Sequence, residues 1–156
     1  MSKHIHCNEP LPDERIADFI QQHHVMTVAT CNGGGTPWCA ACFYAYIPEK
    51  NWFVFTSDED TRHGREMLEN PGIAANIALE TTITGKIRGV QLTGRVRRTD
   101  STSHRMATRR FLGKFPIAVL KKTTLWIFEP SHIKMTDNQL GFGVKLIWDS
   151  PLVGKE

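Results

Sequence analysis

No run of about 18 apolar residues occurs anywhere in the 156-residue sequence, which excludes a membrane-spanning helix. Residues 1–12 carry His4, His6, Glu9 and two prolines but no apolar stretch of the kind that opens a signal peptide, so the expectation is a cytoplasmic protein. There are only four cysteines, Cys7, Cys31, Cys39 and Cys42. In a reducing compartment these are free thiols and not a disulfide framework. Glycine and proline are not abundant enough for a collagen-like or disordered chain, and apolar residues at 40% suffice for a packed core. One domain spanning residues 1–156 is expected, without internal repeat or linker.

Charge is distributed unevenly. Residues 86–122 hold eleven Lys/Arg against the single acid Asp100, net +10, while the remainder is net −7. Such a segment either faces an anion or is a solvated surface paired with nearby acids. It holds few aromatics and no nucleic-acid-reading motif, so a nucleic-acid partner is disfavoured.

Hydrophobic spacing predicts a helix over 13–24, with Ile16, Phe19, Ile20 and His23 on one face and Asp13 able to cap it. Strands follow over 25–31, 38–47 and 52–57, the first two separated by the turn signal Asn32-Gly33-Gly34-Gly35. The strand over 38–47 is apolar on both faces, which implies burial on both sides, inside a barrel and beneath a ligand or second subunit. A short helix is expected over 61–69, strands over 73–79 and 87–98, and a helix over 101–112 with Thr102 as its cap. Strands over 125–128, 133–136 and 144–148 complete the chain. The class is mostly β (α+β), a small antiparallel β-barrel with flanking helices.

Several motifs invite chemistry that the physics rejects. Trp38-Cys39-Ala40-Ala41-Cys42 has redox-motif spacing, yet it enters a strand and not a helix N-terminus. Residues i and i+3 of a strand point to opposite faces, so these sulfurs neither bridge nor share a metal, and buried structural cysteines are expected. No metal site is assigned. His4-x-His6-Cys7 lies on what should be a mobile terminus, and His132 reads as a surface turn residue. Gly33-Gly34-Gly35 precedes a strand, so it is a hairpin turn and not a phosphate cradle. More specific is the run from Phe53 to His63. A strand delivers the hydroxyls of Thr56 and Ser57, and a helix start follows with Thr61, Arg62 and His63. Hydroxyls, helix N–H groups and a guanidinium converging at one point suit a phosphate. An acid-capped helix with exposed basic residues is the competing reading.

These residues, in this order, resemble the pyridoxamine 5′-phosphate oxidase-like FMN-binding split barrels. The layout is Val28-Ala29-Thr30, Gly35-Thr36-Pro37, a double-sided strand, Phe55-Thr56, Thr61-Arg62-His63, Asn70-Pro71 and Val90-x-x-x-Gly94, over roughly residues 14–148. Trp38-Cys39-Ala40, Asp60-Thr61-Arg62-His63, Ile87-Arg88-Gly89-Val90-Gln91 and the run from Thr136 to Gly143 are more similar to the bacterial YhbP-like subgroup. That subgroup lends no particular reaction.

The resemblance implies a homodimeric split β-barrel with FMN at the subunit interface, and a flavin-dependent oxidoreductase acting on a small molecule. By position, Phe55 and Thr56 match the aromatic–Thr pair beside the cofactor, Arg62 the phosphate-binding arginine, and Thr61 the residue before it. His63 stands where the oxidase has lysine, a weaker and pH-dependent phosphate donor. Ala40, Cys42 and Phe43 lie on the strand that would run along the flavin, with Ala40 and Ala45 replacing basic residues. Gln91 stands two residues from the position of a flavin-contacting glutamine, which is Gly89 here. Phe142, Lys145 and Trp148 are expected to close over the flavin, and the basic segment to help hold its phosphate. The oxidase's C-terminal basic substrate residues have no match, which argues against vitamin B6 oxidation itself. No catalytic residue is assigned. The alternative is a haem-binding or cofactor-free binding or sensing module on the same barrel, haem needing an axial ligand such as His63 or His132.

Overall fold

The computed structural model describes residues 3–120, 122–141 and 143–151. The first strand is β1 (His4–Cys7), followed by helix α1 (Glu14–Gln22). Asp13 caps α1 by accepting from the Arg15 N–H at 2.9 Å, and Ile16, Phe19 and Ile20 are the residues it buries. Strands β2 (Val25–Cys31) and β3 (Pro37–Ile47) form a hairpin, with Thr30 opposite Trp38. Its turn is organised by Asn32, whose Oδ1 accepts from Gly34 N and Thr36 N at 3.0 Å each. Next come β4 (Trp52–Ser57), α2 (Arg62–Glu69), β5 (Gly72–Ala78), β6 (Arg88–Arg98), α3 (His104–Lys114), β7 (Thr124–Asp137) and β8 (Lys145–Asp149).

The strands pair in the order β7-β4-β3-β2-β5-β6, and β6 pairs back onto β7 to close a six-stranded antiparallel barrel. Alternate residues point inward, as the two-residue period demands: Met26 and Val28 from β2, Tyr44 and Tyr46 from β3, Phe53 and Phe55 from β4, Trp126 and Phe128 from β7. The opposite faces of β3, β4 and β7 present Ala45, Ile47, Val54 and Ile127 to Ala107 and Phe111 of α3, a second small core outside the barrel. So β3 is apolar on both sides for a reason, but α3 covers only its last residues. Cys39, Ala41 and Phe43 remain exposed on that face, Phe43 at 59%.

Four expectations are corrected. The strands anticipated over 125–128 and 133–136 are one, because β7 pairs with β6 on both sides of Pro130 and absorbs the irregularity as a bulge opposite Thr93 and Gly94. Gly94 is required there, since a Cβ would collide with the Glu129 carbonyl oxygen. His132 consequently sits in a strand and not in a turn, its Nδ1 2.7 Å from Asp149. The terminus expected to be mobile is β1, paired in parallel with β8, with Ile5 opposite Leu146. Helix α3 starts later than residue 101, and Thr102 does not cap it. Ser103 stands at its N-cap, and Asp100 holds the turn that leads into the helix, its Oδ1 accepting from Thr102 N, Thr102 Oγ1, Ser103 N and Ser103 Oγ at 2.7–3.0 Å. Among the described residues no helix is long and apolar enough to cross a membrane.

Candidate functional site

Strand β4 ends at Ser57, the chain turns through residues 58–61, and α2 begins with Thr61 as its N-cap. Thr61 Oγ1 accepts from Gly64 N at 3.0 Å and donates to the Asp58 carbonyl at 2.8 Å, which pins the turn against the first turn of the helix. Gly64 allows this closeness, since a Cβ there would strike the Asp58 carbonyl oxygen. His63 folds back so that Nε2 lies 2.7 Å from Ser57 Oγ and 3.4 Å from Thr61 Oγ1. Burial lowers the His63 pKa below its ordinary value, with the Glu66 carboxylate acting in the opposite direction.

This cluster forms the polar end of a cleft of about 580 Å³. Ala41, Cys42 and Phe43 of β3 make one wall, Thr56, Ser57 and His63 the polar end, and Phe111, Phe115 and Ile117 the wall opposite. Phe43 and Phe115 meet across it with ring centroids 5.3 Å apart. A polar pole beside an apolar slot can hold a planar ring carrying an anionic tail.

The cleft gathers Cys42, Phe43, Thr56, Thr61 and His63 from the sequence-derived candidates and leaves the others elsewhere. Ala40 packs half-buried against the barrel core. Phe55 is fully buried inside the barrel, because adjacent strand residues face opposite ways and Thr56 takes the cleft side. Arg62 turns away from the cleft. Its Nε lies 3.0 Å from Glu66 Oε1 and its guanidinium stacks 4.5 Å from the Trp38 ring centre. Glu66 in turn accepts from Thr30 Oγ1 at 2.5 Å, and these bonds from Thr30 and Arg62 lower its pKa. Gln91 faces a separate hollow with Thr27, Cys39, His132 and Lys134 on the outer side of the barrel. Lys145 donates to Thr136 Oγ1 at 3.0 Å. Trp148 is a core residue, its indole N–H donating to the Glu9 carbonyl at 2.9 Å, so it has no free ring face to lay over a ligand. Phe142 lies outside the described residues.

The basic segment is also reassigned. Arg88 pairs with Asp137 at 2.9 Å, Arg97 with Glu129 at 2.7 Å, Arg98 with Glu59 at 3.2 Å and Arg110 with Glu49 at 3.2 Å. The acids that make the rest of the chain negative are therefore counter-charges for much of this segment, and among the described residues none of its Lys or Arg side chains lines the cleft. The cysteines also divide: Cys39 is exposed and not buried as expected, whereas burial pushes the Cys42 thiol up to about 11. All four are free, and among the described residues no group of His, Cys, Asp and Glu is arranged to hold a metal.

Sequence reasoning missed Phe111, Phe115 and Ile117. Their one signal was the i, i+4 pair of phenylalanines in an otherwise basic helix.

Against known proteins, residues 12–137 match the family described as pyridoxamine 5′-phosphate oxidase. A UPF0306 protein of Photorhabdus laumondii is 37% identical over 130 residues, covering 83% of this chain and 90% of that protein. Among solved structures, a haem-binding protein from Mycobacterium smegmatis superposes with TM-score 0.70 at 18% identity, over 81% of this chain and 53% of that one. This chain thus spans about half that protein's length. A FAD-binding protein from Mesorhizobium loti superposes with TM-score 0.63 at 13% identity, over 78% and 89% of the two chains. At such identities these two likenesses concern the fold alone.

Proposed function

Starting from a chain that belongs to the pyridoxamine 5′-phosphate oxidase family, we propose that it binds FMN in the cleft between β3, the start of α2 and α3, and uses it in redox chemistry on a small molecule. The observation that carries this reading is the meeting of the Ser57–Thr61–His63 cluster with an apolar slot in one cleft. The N–H groups of the first helical turn and the two hydroxyls suit a terminal phosphate. Phe43 and Phe115 offer aromatic faces to a planar ring. The residues present therefore fit the cofactor. When bound, FMN would supply hydride acceptance and donation at its ring. The protein's part would be to hold the phosphate through Ser57, Thr61 and His63, and to shield the ring with Phe43 and Phe115. No side chain of the cleft is assigned as a general acid or base.

The same reading supplies a partner. The uncovered half of β3 carries Trp38, 42% exposed, and Phe43 on its two faces, and a second copy of the chain would cover this apolar surface. Neighbours of the same fold include the haem-binding protein, but a haem held by His63 would have to take Nε2 away from Ser57.

An absorbance spectrum of the purified protein, repeated after incubation with FMN and desalting, tests the proposal. Flavin bands that survive desalting and bleach with a reduced nicotinamide are the expected result. A protein that retains no FMN overturns it, and a Soret band would put the haem reading in its place.

A further inference from the structure

The cleft has a charge make-up unusual for a phosphate site. Among the described residues that line it there is no lysine and no arginine, and Asp58 stands beside its polar end. The nearest alternatives are engaged, or line hollows that adjoin the cleft through Thr56 and Thr123. Arg62 lies on Glu66 and Trp38, the Lys114 ammonium donates to the His23 carbonyl at 2.7 Å, and Lys122 lines an adjoining hollow with Asp58, Glu59 and Asp60. Among the described residues that line the cleft, His63 is the one side chain that can become a cation.

Its ring is held among hydroxyls. Thr61 directs its hydroxyl hydrogen to the Asp58 carbonyl and accepts from Gly64 N. Ser57 Oγ lies 3.3 Å from the Asp58 carbonyl, 3.2 Å from Thr61 Oγ1 and 2.7 Å from His63 Nε2. Nε2 makes its short contacts with hydroxyls and with no carboxylate, surroundings that suit a neutral ring. Burial favours the same state.

We propose that His63 takes up one proton when the cleft receives a terminal phosphate monoester, and that this uptake selects a monoester over a phosphodiester or an uncharged ring. The proposal rests on the FMN reading only for what lies beyond the phosphate. The proton comes from solvent and forms an N–H bond at the ring nitrogen that lacked one. Ser57 Oγ, its own hydrogen directed to the Asp58 carbonyl, accepts from the Nε2–H of the charged ring. A monoester carries about −1.5 to −2 charges near pH 7, and an opposite charge within about 4–6 Å raises the tendency of an imidazole to protonate. A diester, with one charge per phosphate, pulls about half as strongly. The Glu66 carboxylate acts on the ring as well and favours its charged form. The sign follows directly. The ring's pKa is higher in the loaded protein than in the free one, so affinity is greatest below the free value and declines as pH rises through the loaded value.

Fluorescence titrations with FMN, FAD and riboflavin at several values between about pH 6.5 and 9, on the wild type and on His63→Gln and His63→Lys, test this. NMR titration of the His63 ring with and without inorganic phosphate runs alongside. Expected is an FMN affinity falling several-fold across that range, riboflavin binding that is flat, and FAD binding weaker than FMN. His63→Gln should abolish the slope and His63→Lys should bind FMN tightly without one. Inorganic phosphate should move the ring's midpoint upward. An unchanged slope in His63→Gln, or a midpoint that phosphate leaves in place, overturns the proposal. If no flavin binds but phosphate still raises the midpoint, the FMN reading falls and this one stands. If neither flavin nor phosphate has an effect, both fall.

Discussion

Helices α2 and α3 begin in opposite ways. At α3 the chain supplies its own anion: the Asp100 carboxylate gathers the N–H groups and hydroxyls of Thr102 and Ser103, and Arg97 reaches its other oxygen at 3.2 Å. Those bonds hold its carboxyl well below the usual carboxylate range. At α2 the corresponding place is occupied by the Thr61 hydroxyl, and the groups around it are Ser57 and a neutral imidazole. A helix start attracts negative charge whether it comes from a side chain or a ligand. The first helix has answered that demand internally, and the second leaves it to whatever enters the cleft. The difference teaches that a basic segment is not what marks an anion site here, since Arg88, Arg97, Arg98 and Arg110 are paired with the chain's own acids.

Making α2 resemble α3 should have the largest effect. Thr61→Asp keeps a good cap but sets a carboxylate against the incoming phosphate, at a cost of about 4 kcal/mol for unit charges some 4 Å apart near a protein surface. FMN affinity should fall roughly 100- to 1000-fold, measured by fluorescence titration, while the melting temperature holds. Affinity within about threefold of wild type would place the phosphate elsewhere.

Gly64→Ala strikes the other side of the same turn. The new Cβ collides with the Asp58 carbonyl and forces the turn off the helix, which should lower stability by about 1–3 kcal/mol in urea unfolding and weaken FMN binding with it. Unaltered stability would mean that the turn is not held tightly. Asp100→Ala acts on α3 alone: the melting temperature should drop by a few degrees and FMN affinity should not move. Because the folded pKa of Asp100 is depressed, its contribution is present above the unfolded value of about 4 and is lost as pH falls toward the folded value. Melting curves of Asp100→Ala and wild type should accordingly converge on acidification, and a constant gap would show that the carboxylate charge is not what holds the turn into α3.

Ser57→Ala should give the smallest change. Removing the hydroxyl takes away an oxygen that accepts from the protonated ring, a bond worth about 0.5–1.5 kcal/mol, so the His63 midpoint should fall by up to roughly one unit in an NMR titration. A midpoint that stays in place would mean that Nε2 does not donate to Ser57.

What was legible follows the range of the interactions. Strands β2 and β4 carry the anticipated bounds, and α1 its anticipated cap, because alternation, Asp13 and the Asn32 turn act within a few residues. Thr56, Thr61 and His63 were found together because strand, turn and helix start are contiguous. Residues Arg62 and His63 could not be told apart in the same way. Neighbouring helical residues differ by about 100°, and only the positions of Trp38 and Glu66 decide that Arg62 leaves the cleft while His63 enters it.

By itself the sequence determined a mostly β, small antiparallel barrel, the alternating faces of its strands, and a helix start rich in hydroxyls, since period-two patterning and capping are short-range hydrogen-bond and burial effects. Tertiary structure alone decided the closure of β6 on β7, the parallel docking of β1 on β8, the pairing of the basic segment with distant acids, and the arrival of Phe111 and Phe115 over β3. Each of these joins groups far apart along the chain, and their partners are selected only when apolar surface is buried between them.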